Sequence, residues 1–271
     1  MSCEHDHDMA TASSVVPKVK LFGAPYSTCT SRVIMCLMEK QVDYDLQVVD
    51  IAKTQDHKKP EFLAMQPFGM IPVLQDKDIQ VFESRAIVRY IARKHEGHGT
   101  PLYGTSEKDR AMVEQWLEVE AQNYNPAIAP AVWHLVHAPL FGQQGDPAIA
   151  ATSLQKLEKV LDVYEGVLSK SKYLAGDFFS LADLSHIPFT HYLINDGGKA
   201  QLISAGDRKQ GCSVCNMMSL KVVKTYDLQK FRVNVGDVVA QLDPEGRASD
   251  GRLIVDSISR VIPKRPCSGF Q

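Results

Sequence analysis

Residues 20–38 read KLFGAPYSTCTSRVIMCLM, and this stretch decides the fold of the first part of the chain. Apolar and lysine residues alternate before Gly23, which is the pattern of a half-buried strand. Apolar residues then recur at helical spacing from Val33 to Met38, so a helix follows the strand. Hydroxyl side chains fill the turn between them, where the start of a helix leaves backbone N–H groups unpaired. Such a turn suits an anion, and a hydroxyl placed there can stabilise a thiolate or a phosphate.

The composition is that of an ordinary globular protein. The chain has 271 residues, of which 44% are hydrophobic and 23% are charged, enough for two modest domains. Its net charge of −2 provides no field that would attract nucleic acid or a membrane surface, so we expect neither as a partner. No apolar run is long enough to cross a bilayer, and residues 1–17 lack the pattern of a signal peptide. We expect a cytoplasmic protein whose cysteines are reduced thiols rather than a disulfide framework: Cys3, Cys29, Cys36, Cys212, Cys215 and Cys267.

The first ninety or so residues predict strands and helices in the order β-α-β, then β-β-α. A second strand is predicted at 44–48, and two short apolar runs at 71–74 and 79–82 predict a hairpin. A helix follows the hairpin and runs to about Lys94. A parallel βαβ unit followed by an antiparallel hairpin gives a mixed sheet of four strands.

The pattern then changes to helices. The stretch EGHGTPLYGTS, which begins at Glu96, is rich in glycine and polar residues and predicts a linker. A long helix follows it, with an interruption or bend near Pro126 and Pro130, and a second long helix covers about 147–169. The sequence SLADL at 180–184 is a capping box that opens a third, buried helix.

Residues after Lys209 have a different character, with nine Lys or Arg against six Asp or Glu and two strand-like runs, at 231–239 and 252–255. We therefore predict an α/β domain, an all-α domain and a C-terminal appendage. The predicted boundaries are a disordered arm at 1–17, the α/β domain at 18–96, a linker at 97–106, the helical domain at 107–209 and the appendage at 210–271.

Three clusters in the first domain suit one kind of ligand. Beside the hydroxyl-rich turn, the sequence PFGMIP places a proline at the entry of a short strand, and the Ile71–Pro72 bond is a candidate cis peptide that would turn the backbone of Ile71 outward. The sequence FESRA places Ser84 as the N-cap of the next helix, where a carboxylate can bind. Positive charge for another carboxylate is available from His57 and Lys58.

These stretches together resemble the glutathione transferases of the phi class, the kind found in plants. The matching pieces run in family order from Lys18 to about Lys209: KLFGAPYSTCTSRV, DHKKPEFLAMQPFGMIPVLQD, FESRAIVRYIA, LEVEAQNYNPAI, KVLDVYEGVLSKSKYLAGDFFSLADL and HIPFTHYLIND. The resemblance implies an N-terminal thioredoxin-like domain that binds glutathione, an all-helical domain that binds a hydrophobic electrophile, and a homodimer. It also implies that glutathione is a co-substrate and that no cofactor or metal is needed.

The resemblance carries a role to each matching position. Ser27 matches the serine whose hydroxyl donates to the glutathione sulfur. His57 and Lys58 match residues near the glycyl carboxylate. Ile71 matches the backbone clamp on the cysteinyl unit, and Pro72 matches the cis-proline.

Two further positions, Glu83 and Ser84, match the pair that holds the γ-glutamyl amine and carboxylate. Met70 stands where many relatives have a glutamine that contacts glutathione, so we expect weaker glutathione binding. The hydrophobic-substrate site is predicted to include Tyr26, Ile51, Tyr124 and Ile128.

The predicted function is conjugation of the glutathione thiolate to hydrophobic electrophiles, a detoxification and stress-response activity. A free thiol has a pKa of about 8.5, and a donor hydroxyl at a helix N-terminus lowers it. The same thiolate can attack a peroxide, so glutathione-dependent peroxidase activity is a second possibility. The alternatives are a non-catalytic carrier of hydrophobic ligands and an inactive truncated product.

Several local alternatives stay open. Ser27 can be a purely capping serine, Glu83 and Ser84 an ordinary helix cap, and His57 with Lys58 a solvated loop. Phi-class chains close with further helices that do not follow here. We interpret residues 210–271 as an unrelated segment appended by altered splicing or read-through, the alternative being a replacement cover for those helices.

Overall fold

The computed structural model describes residues 18–199 of the chain. The predicted arm at 1–17, the last ten residues of the predicted helical domain and the predicted appendage at 210–271 lie outside the described residues. The interpretation of the appendage as a product of splicing or read-through therefore stays a prediction.

A mixed sheet forms the centre of the first part of the described chain, with four strands: β1 (Val19–Gly23), β2 (Tyr44–Val48), β3 (Val73–Asp76) and β4 (Ile79–Phe82). The strand order is β2-β1-β3-β4. β1 is parallel to β2, and the pairs β1–β3 and β3–β4 are antiparallel. The predicted sheet is confirmed, and it has the thioredoxin-like arrangement that the resemblance implied.

Both faces of the sheet are covered by helices: α1 (Thr28–Glu39), α2 (Pro60–Leu63) and α3 (Ser84–Lys94). Leu21 and Leu74 of the sheet share one hydrophobic core with α1 and α3. Val73 packs with Phe62 of α2 in a second, smaller core. Because successive side chains of a strand point to opposite faces, α1 and α3 lie on one face of the sheet and α2 on the other.

The second part of the described chain is helical and contains α4 (Glu107–Val119), α5 (Asn125–Val132), α6 (Ala138–Leu140), α7 (Pro147–Leu168) and α8 (Leu181–Asn195). Two π-helical turns, Glu120–Tyr124 and Trp133–His137, join α4, α5 and α6 into one long element. α8 is buried along most of its length and packs against α1, α4 and α5. None of the helices between residues 18 and 199 is long and apolar enough to cross a membrane.

Proline and an inserted serine explain why the long element is interrupted. Pro130, inside α5, has no N–H to donate to the preceding turn. The next hydrogen bond is replaced as well, since the Ser153 hydroxyl of α7 accepts from the Ala131 N–H at 3.2 Å and donates to the Ala127 carbonyl at 2.6 Å. Irregular helical turns accompany such breaks in the hydrogen-bond ladder. The predicted interruption is therefore confirmed.

The predicted capping box at the start of α8 is also confirmed. Asp183 accepts from the Ser180 N–H at 2.9 Å and from the Ser180 hydroxyl at 2.6 Å. Its other carboxylate oxygen accepts from the Leu174 N–H at 2.9 Å. This buried carboxylate therefore fixes both the start of α8 and the loop before it.

We expect Asp183→Asn to lower the free energy of unfolding by about 2–3 kcal/mol. One of the two carboxylate oxygens becomes an NH2 group, which cannot accept the hydrogen bond from the backbone N–H that it faces, so this buried N–H loses its partner. Urea unfolding of the two proteins measures the difference. Asp43→Asn, at an exposed position, is the control and should change stability by less than about 0.5 kcal/mol. Equal effects of the two variants would contradict the capping role of Asp183.

Candidate active site

Ser27 lies in the turn between β1 and α1 and is the N-cap of α1. Its backbone is extended, with φ −74° and ψ 127°, and its Oγ accepts from the Thr30 N–H at 3.4 Å. The Ser27 N–H donates to the Ala24 carbonyl at 2.9 Å. A serine hydroxyl has one donor hydrogen and two acceptor lone pairs. Capping therefore uses one lone pair and leaves the hydroxyl hydrogen available to a ligand.

The loop before β3 is tied to the segment that carries His57. The buried Gln66 side chain accepts from the Met70 N–H at 3.1 Å, and the Lys58 ammonium donates to the Gly69 carbonyl at 3.3 Å. Gly69 has a φ of 60°, and a Cβ there would lie 2.7 Å from the His57 carbonyl oxygen. Only glycine fits this close approach, so the loop before β3 packs directly against the main chain at His57.

The Ile71–Pro72 peptide bond is cis, as predicted. Ile71 is half-buried and lies outside the ladder, which begins with Val73 opposite Phe22. Its main-chain groups are therefore not used in pairing β3 with β1. The Met70 side chain is 59% exposed beside it.

The start of α3 differs from the prediction by one residue. The helix begins at Ser84, and Glu83 is the cap residue, with φ 67° and ψ 108°. The prediction of Ser84 as the N-cap is therefore wrong, because Glu83 rather than Ser84 leaves the helical conformation. The Ser84 hydroxyl is buried and accepts from Arg32 Nη1 at 2.7 Å. The Glu83 side chain is exposed, in a left-handed backbone conformation that is unusual for a residue other than glycine.

His57 is half-buried and carries an unsatisfied polar atom. Its Nδ1 is buried and has no hydrogen-bond partner within residues 18–199. Burial and the neighbouring charge of Lys58 lower the His57 pKa. The imidazole is therefore neutral near pH 7 and has a ring nitrogen available, while Lys58 supplies the positive charge.

A buried group of charges lies behind the helix starts. Arg32 is fully buried in α1, donates to the Ser185 carbonyl of α8 from Nε at 3.4 Å and from Nη2 at 3.3 Å, and lies 3.5 Å from the Glu120 carboxylate. Arg85 Nε lies 2.5 Å from the other Glu120 oxygen. Burial opposes ionisation of Glu120, but the Arg32 charge and the Arg85 hydrogen bond outweigh it and lower the Glu120 pKa. The carboxylate thus joins both halves of the described chain.

Two of the residues predicted for the hydrophobic-substrate site are core residues. Tyr124 and Ile128 are fully buried. The Tyr124 hydroxyl bonds to Thr190 of α8 at 2.6 Å, and its ring stacks on Tyr164 at 6.0 Å. Their prediction as a substrate wall is wrong, because this face of the long helical element packs inward against α7 and α8.

The other two predicted residues, Tyr26 and Ile51, are half-buried beside the Ser27 turn. Burial, with the Asp50 charge, raises the Tyr26 pKa to about 12, so its hydroxyl stays protonated. Opposite Tyr26, the helical part supplies an aromatic group that the sequence analysis missed: Trp133, His137, Phe141 and Tyr192. The first three are spaced by four residues, a helical repeat that could have identified them.

The aromatic residues form a closed series of contacts. The distances in this series are between ring centroids. The Tyr26 ring lies edge-on to the Phe141 ring at 6.0 Å, and the Phe141 ring lies 6.1 Å from the Trp133 ring. Trp133 contacts His137 at 6.2 Å, and His137 contacts Tyr192 at 5.0 Å. The Tyr192 hydroxyl closes the series by donating to the Tyr26 carbonyl at 2.7 Å. We call these five residues the aromatic wall.

Comparison with known proteins identifies this architecture. The glutathione S-transferase N-terminal domain model matches residues 26–94, and the C-terminal domain model of the same family matches residues 127–200. Glutathione S-transferase F10 of Arabidopsis thaliana is 50% identical over 186 residues, which are 69% of this chain and 85% of the relative. Glutathione S-transferase PARB of Nicotiana tabacum is 42% identical over 177 residues, 65% of this chain and 83% of the relative.

Solved structures agree with the sequence comparisons. The crystal structure of glutathione transferase F7 from Populus trichocarpa has a TM-score of 0.71 and 45% identity, covering 79% of this chain and 97% of that one. A structure titled glutathione S-transferase I from maize holds an atrazine glutathione conjugate, at 38% identity and a TM-score of 0.69, covering 79% of this chain and 96% of that one.

The fold and the site thus define a glutathione-dependent transferase with a thioredoxin-like domain and a helical domain. The chain belongs to the glutathione S-transferase family, in its phi class. The predicted family, fold class and transferase function are confirmed, and nothing in the comparisons favours a non-catalytic carrier or an inactive product.

We expect Glu120→Gln to lower the free energy of unfolding at pH 7 by about 3–5 kcal/mol, because the buried Arg32 loses its counter-charge. The folded-state pKa of Glu120 is lowered, so its contribution is full above the unfolded pKa of about 4.3 and is lost as the pH falls below it. As the pH falls, the free energy of unfolding should therefore decrease less in the variant than in the natural protein.

Thermal unfolding of both proteins between neutral and acidic pH tests this expectation. Glu118→Gln is the matched control, because Glu118 is the exposed partner of Arg89. This substitution should change the free energy of unfolding by less than about 1 kcal/mol. A Glu120→Gln protein that unfolds like the Glu118→Gln protein at every pH would contradict the network.

Proposed function

We propose that this transferase activates glutathione with the Ser27 hydroxyl. The observation that carries the proposal is the position of Ser27 at the N-cap of α1, with its hydroxyl hydrogen left over after capping. A hydrogen bond from this hydroxyl, together with the positive end of the helix dipole, stabilises a thiolate over a thiol. The pKa of the glutathione thiol then falls below the value of about 8.5 for a free thiol, and thiolate is present at neutral pH.

The tripeptide is held by three groups along the same side of the first domain. Glu83 takes the γ-glutamyl amine, and the Ser84 hydroxyl and the start of α3 take its carboxylate. The main chain of Ile71, before the cis-proline, pairs with the cysteinyl unit. His57 and Lys58 take the glycyl carboxylate, which supplies a partner for the buried His57 Nδ1.

The reaction on the bound thiolate is a nucleophilic transfer. The sulfur lone pair forms a bond to an electrophilic carbon, and the leaving group departs with the electron pair of the broken bond. Since no electron is taken from outside, we propose that the reaction needs neither a cofactor nor a metal. The solved relative that holds an atrazine conjugate supports an aromatic electrophile, which the aromatic wall would contact.

We also infer a homodimer in the cytoplasm. The Phe68 side chain, in the loop before β3, is 71% exposed, and an aromatic ring this exposed is typical of a contact surface. The free thiols of Cys29 and Cys36 suit a reducing compartment. Analytical ultracentrifugation of the full chain tests the dimer, and a tagged chain observed in cells tests the location.

Removal of the Ser27 hydroxyl tests the activation step. We expect Ser27→Ala and Ser27→Gly to lower kcat for an aryl halide by about 10- to 100-fold, because both lose the donor to the sulfur. The two variants differ as helix caps, since glycine costs a few tenths and alanine about 1 kcal/mol. Rates that follow stability, with Ser27→Gly close to the natural protein, would show that capping alone matters.

A second substitution tests glutathione binding at Met70. We expect Met70→Gln to lower the KM for glutathione severalfold with little change in kcat, because the added amide supplies a hydrogen bond in the ground and transition states alike. The side chain is largely exposed, so the substitution should not disturb the main-chain bond to Gln66. Steady-state kinetics with varied glutathione measures the effect, and an unchanged or higher KM would count against a role for this position.

A further inference from the structure

Tyr192 of α8 reaches across to the turn that carries Ser27. Its hydroxyl donates to the Tyr26 carbonyl at 2.7 Å, a contact between residues 166 positions apart in the chain. α8 belongs to the helical part and is anchored at its start by the Asp183 capping box. The helical part therefore holds the main chain of the catalytic turn directly.

The bond acts on the peptide group that positions Ser27. The Tyr26 carbonyl and the Ser27 N–H belong to the same planar peptide unit. The N–H end donates to the Ala24 carbonyl at 2.9 Å, and the carbonyl end accepts from Tyr192. With both ends of this plane held, the Ser27 hydroxyl can vary only through the backbone torsions of Ser27 itself and its own side-chain rotamer. The local turn supplies one of the two constraints, and the helical part supplies the other.

Neighbouring rings hold the Tyr192 side chain in place. The His137 ring lies edge-on to Tyr192 at 5.0 Å, and the His191 ring lies edge-on at 6.0 Å. Burial lowers the His137 pKa, so this ring packs in its neutral form near pH 7. The Tyr26 ring is itself held against Phe141 at 6.0 Å. The hydroxyl of Tyr192 is thus presented to the turn by a packed surface.

We propose that Tyr192 is a positioning residue for thiolate activation. Its hydroxyl holds the Tyr26–Ser27 peptide so that the Ser27 hydroxyl points at the glutathione sulfur. This role rests on the proposed function of Ser27 and adds to it, because the helical domain then contributes to activating sulfur as well as to binding the electrophile. Misplacement of a catalytic donor by a fraction of an ångström is enough to weaken its effect.

The test is Tyr192→Phe in the full chain, which keeps the ring and removes the hydroxyl. We expect kcat to fall about three- to tenfold, with the KM for glutathione nearly unchanged because the other anchors are untouched. The ultraviolet absorbance of the bound thiolate, followed against pH, should show the glutathione pKa raised by about half a pH unit or more. An unchanged thiolate titration would overturn the proposal, whatever happens to stability.

A matched control separates positioning from stability. Tyr164→Phe removes another tyrosine hydroxyl that bonds α8, in this case through His186 Nε2 at 3.0 Å, and lies in the helical core away from the turn. We expect it to lower the melting temperature and leave the thiolate titration unchanged. If both variants lose rate in proportion to stability and neither shifts the titration, Tyr192 is merely structural and the proposal fails.

The double variant shows whether Tyr192 acts through Ser27. In a Ser27→Ala background, Tyr192→Phe should cause no further change in the thiolate titration, because the group it positions is already gone. An additive shift would overturn the proposal. Full activity of Ser27→Ala alone would instead refute the proposed activation by Ser27, so failure of that function is distinguishable from failure of the positioning role.

Discussion

The arrangement of the molecule depends on the ion pairs that the buried Glu120 carboxylate makes with Arg32 and Arg85. Glu120 sits where α4 ends and the first π-helical turn of the long element begins, and it is held by Arg32 of α1 and Arg85 of α3. A charge taken out of water is costly unless it is paired, so these three side chains must meet whenever the chain is folded. Because Arg32 and Arg85 belong to the first, sheet-containing half and Glu120 belongs to the helical half, the pairing sets how the halves lie against each other.

The same network reaches the proposed glutathione-binding surface. Arg32 donates to the Ser84 hydroxyl at the start of α3, and α1, which carries Arg32, begins at the Ser27 turn. The start of α3 is therefore supported by a buried guanidinium that belongs to α1. The opposite side of the Ser27 turn is held by Tyr192 of the helical half. An active site built from loops gains its rigidity in this way from the helices that surround it.

Local features of the fold were well predicted, and the errors have two separate causes. The sheet, the cis bond before β3, the interruption of the long helix and the capping box follow from periodicity, proline chemistry and hydroxyl placement within a few residues. Tyr124 and Ile128 were wrongly assigned to the substrate wall, because periodicity identifies a helix face without showing what covers it. The cap at α3 was displaced by one residue, since Glu83 adopts a positive φ that its residue type does not favour.

The sequence by itself determined the two halves and the family to which the chain belongs, and it predicted the Ser27 turn as a place for a thiolate, because these depend on residue type and on contacts close in the chain. Only the tertiary structure decided that Glu120 joins Arg32 to Arg85, that the aromatic wall closes on the turn, and that Tyr192 holds the peptide before Ser27. These contacts join residues far apart in sequence, up to 166 positions, and they form only when whole helices have packed. Local sequence patterns do not predict which side chains will then come into contact.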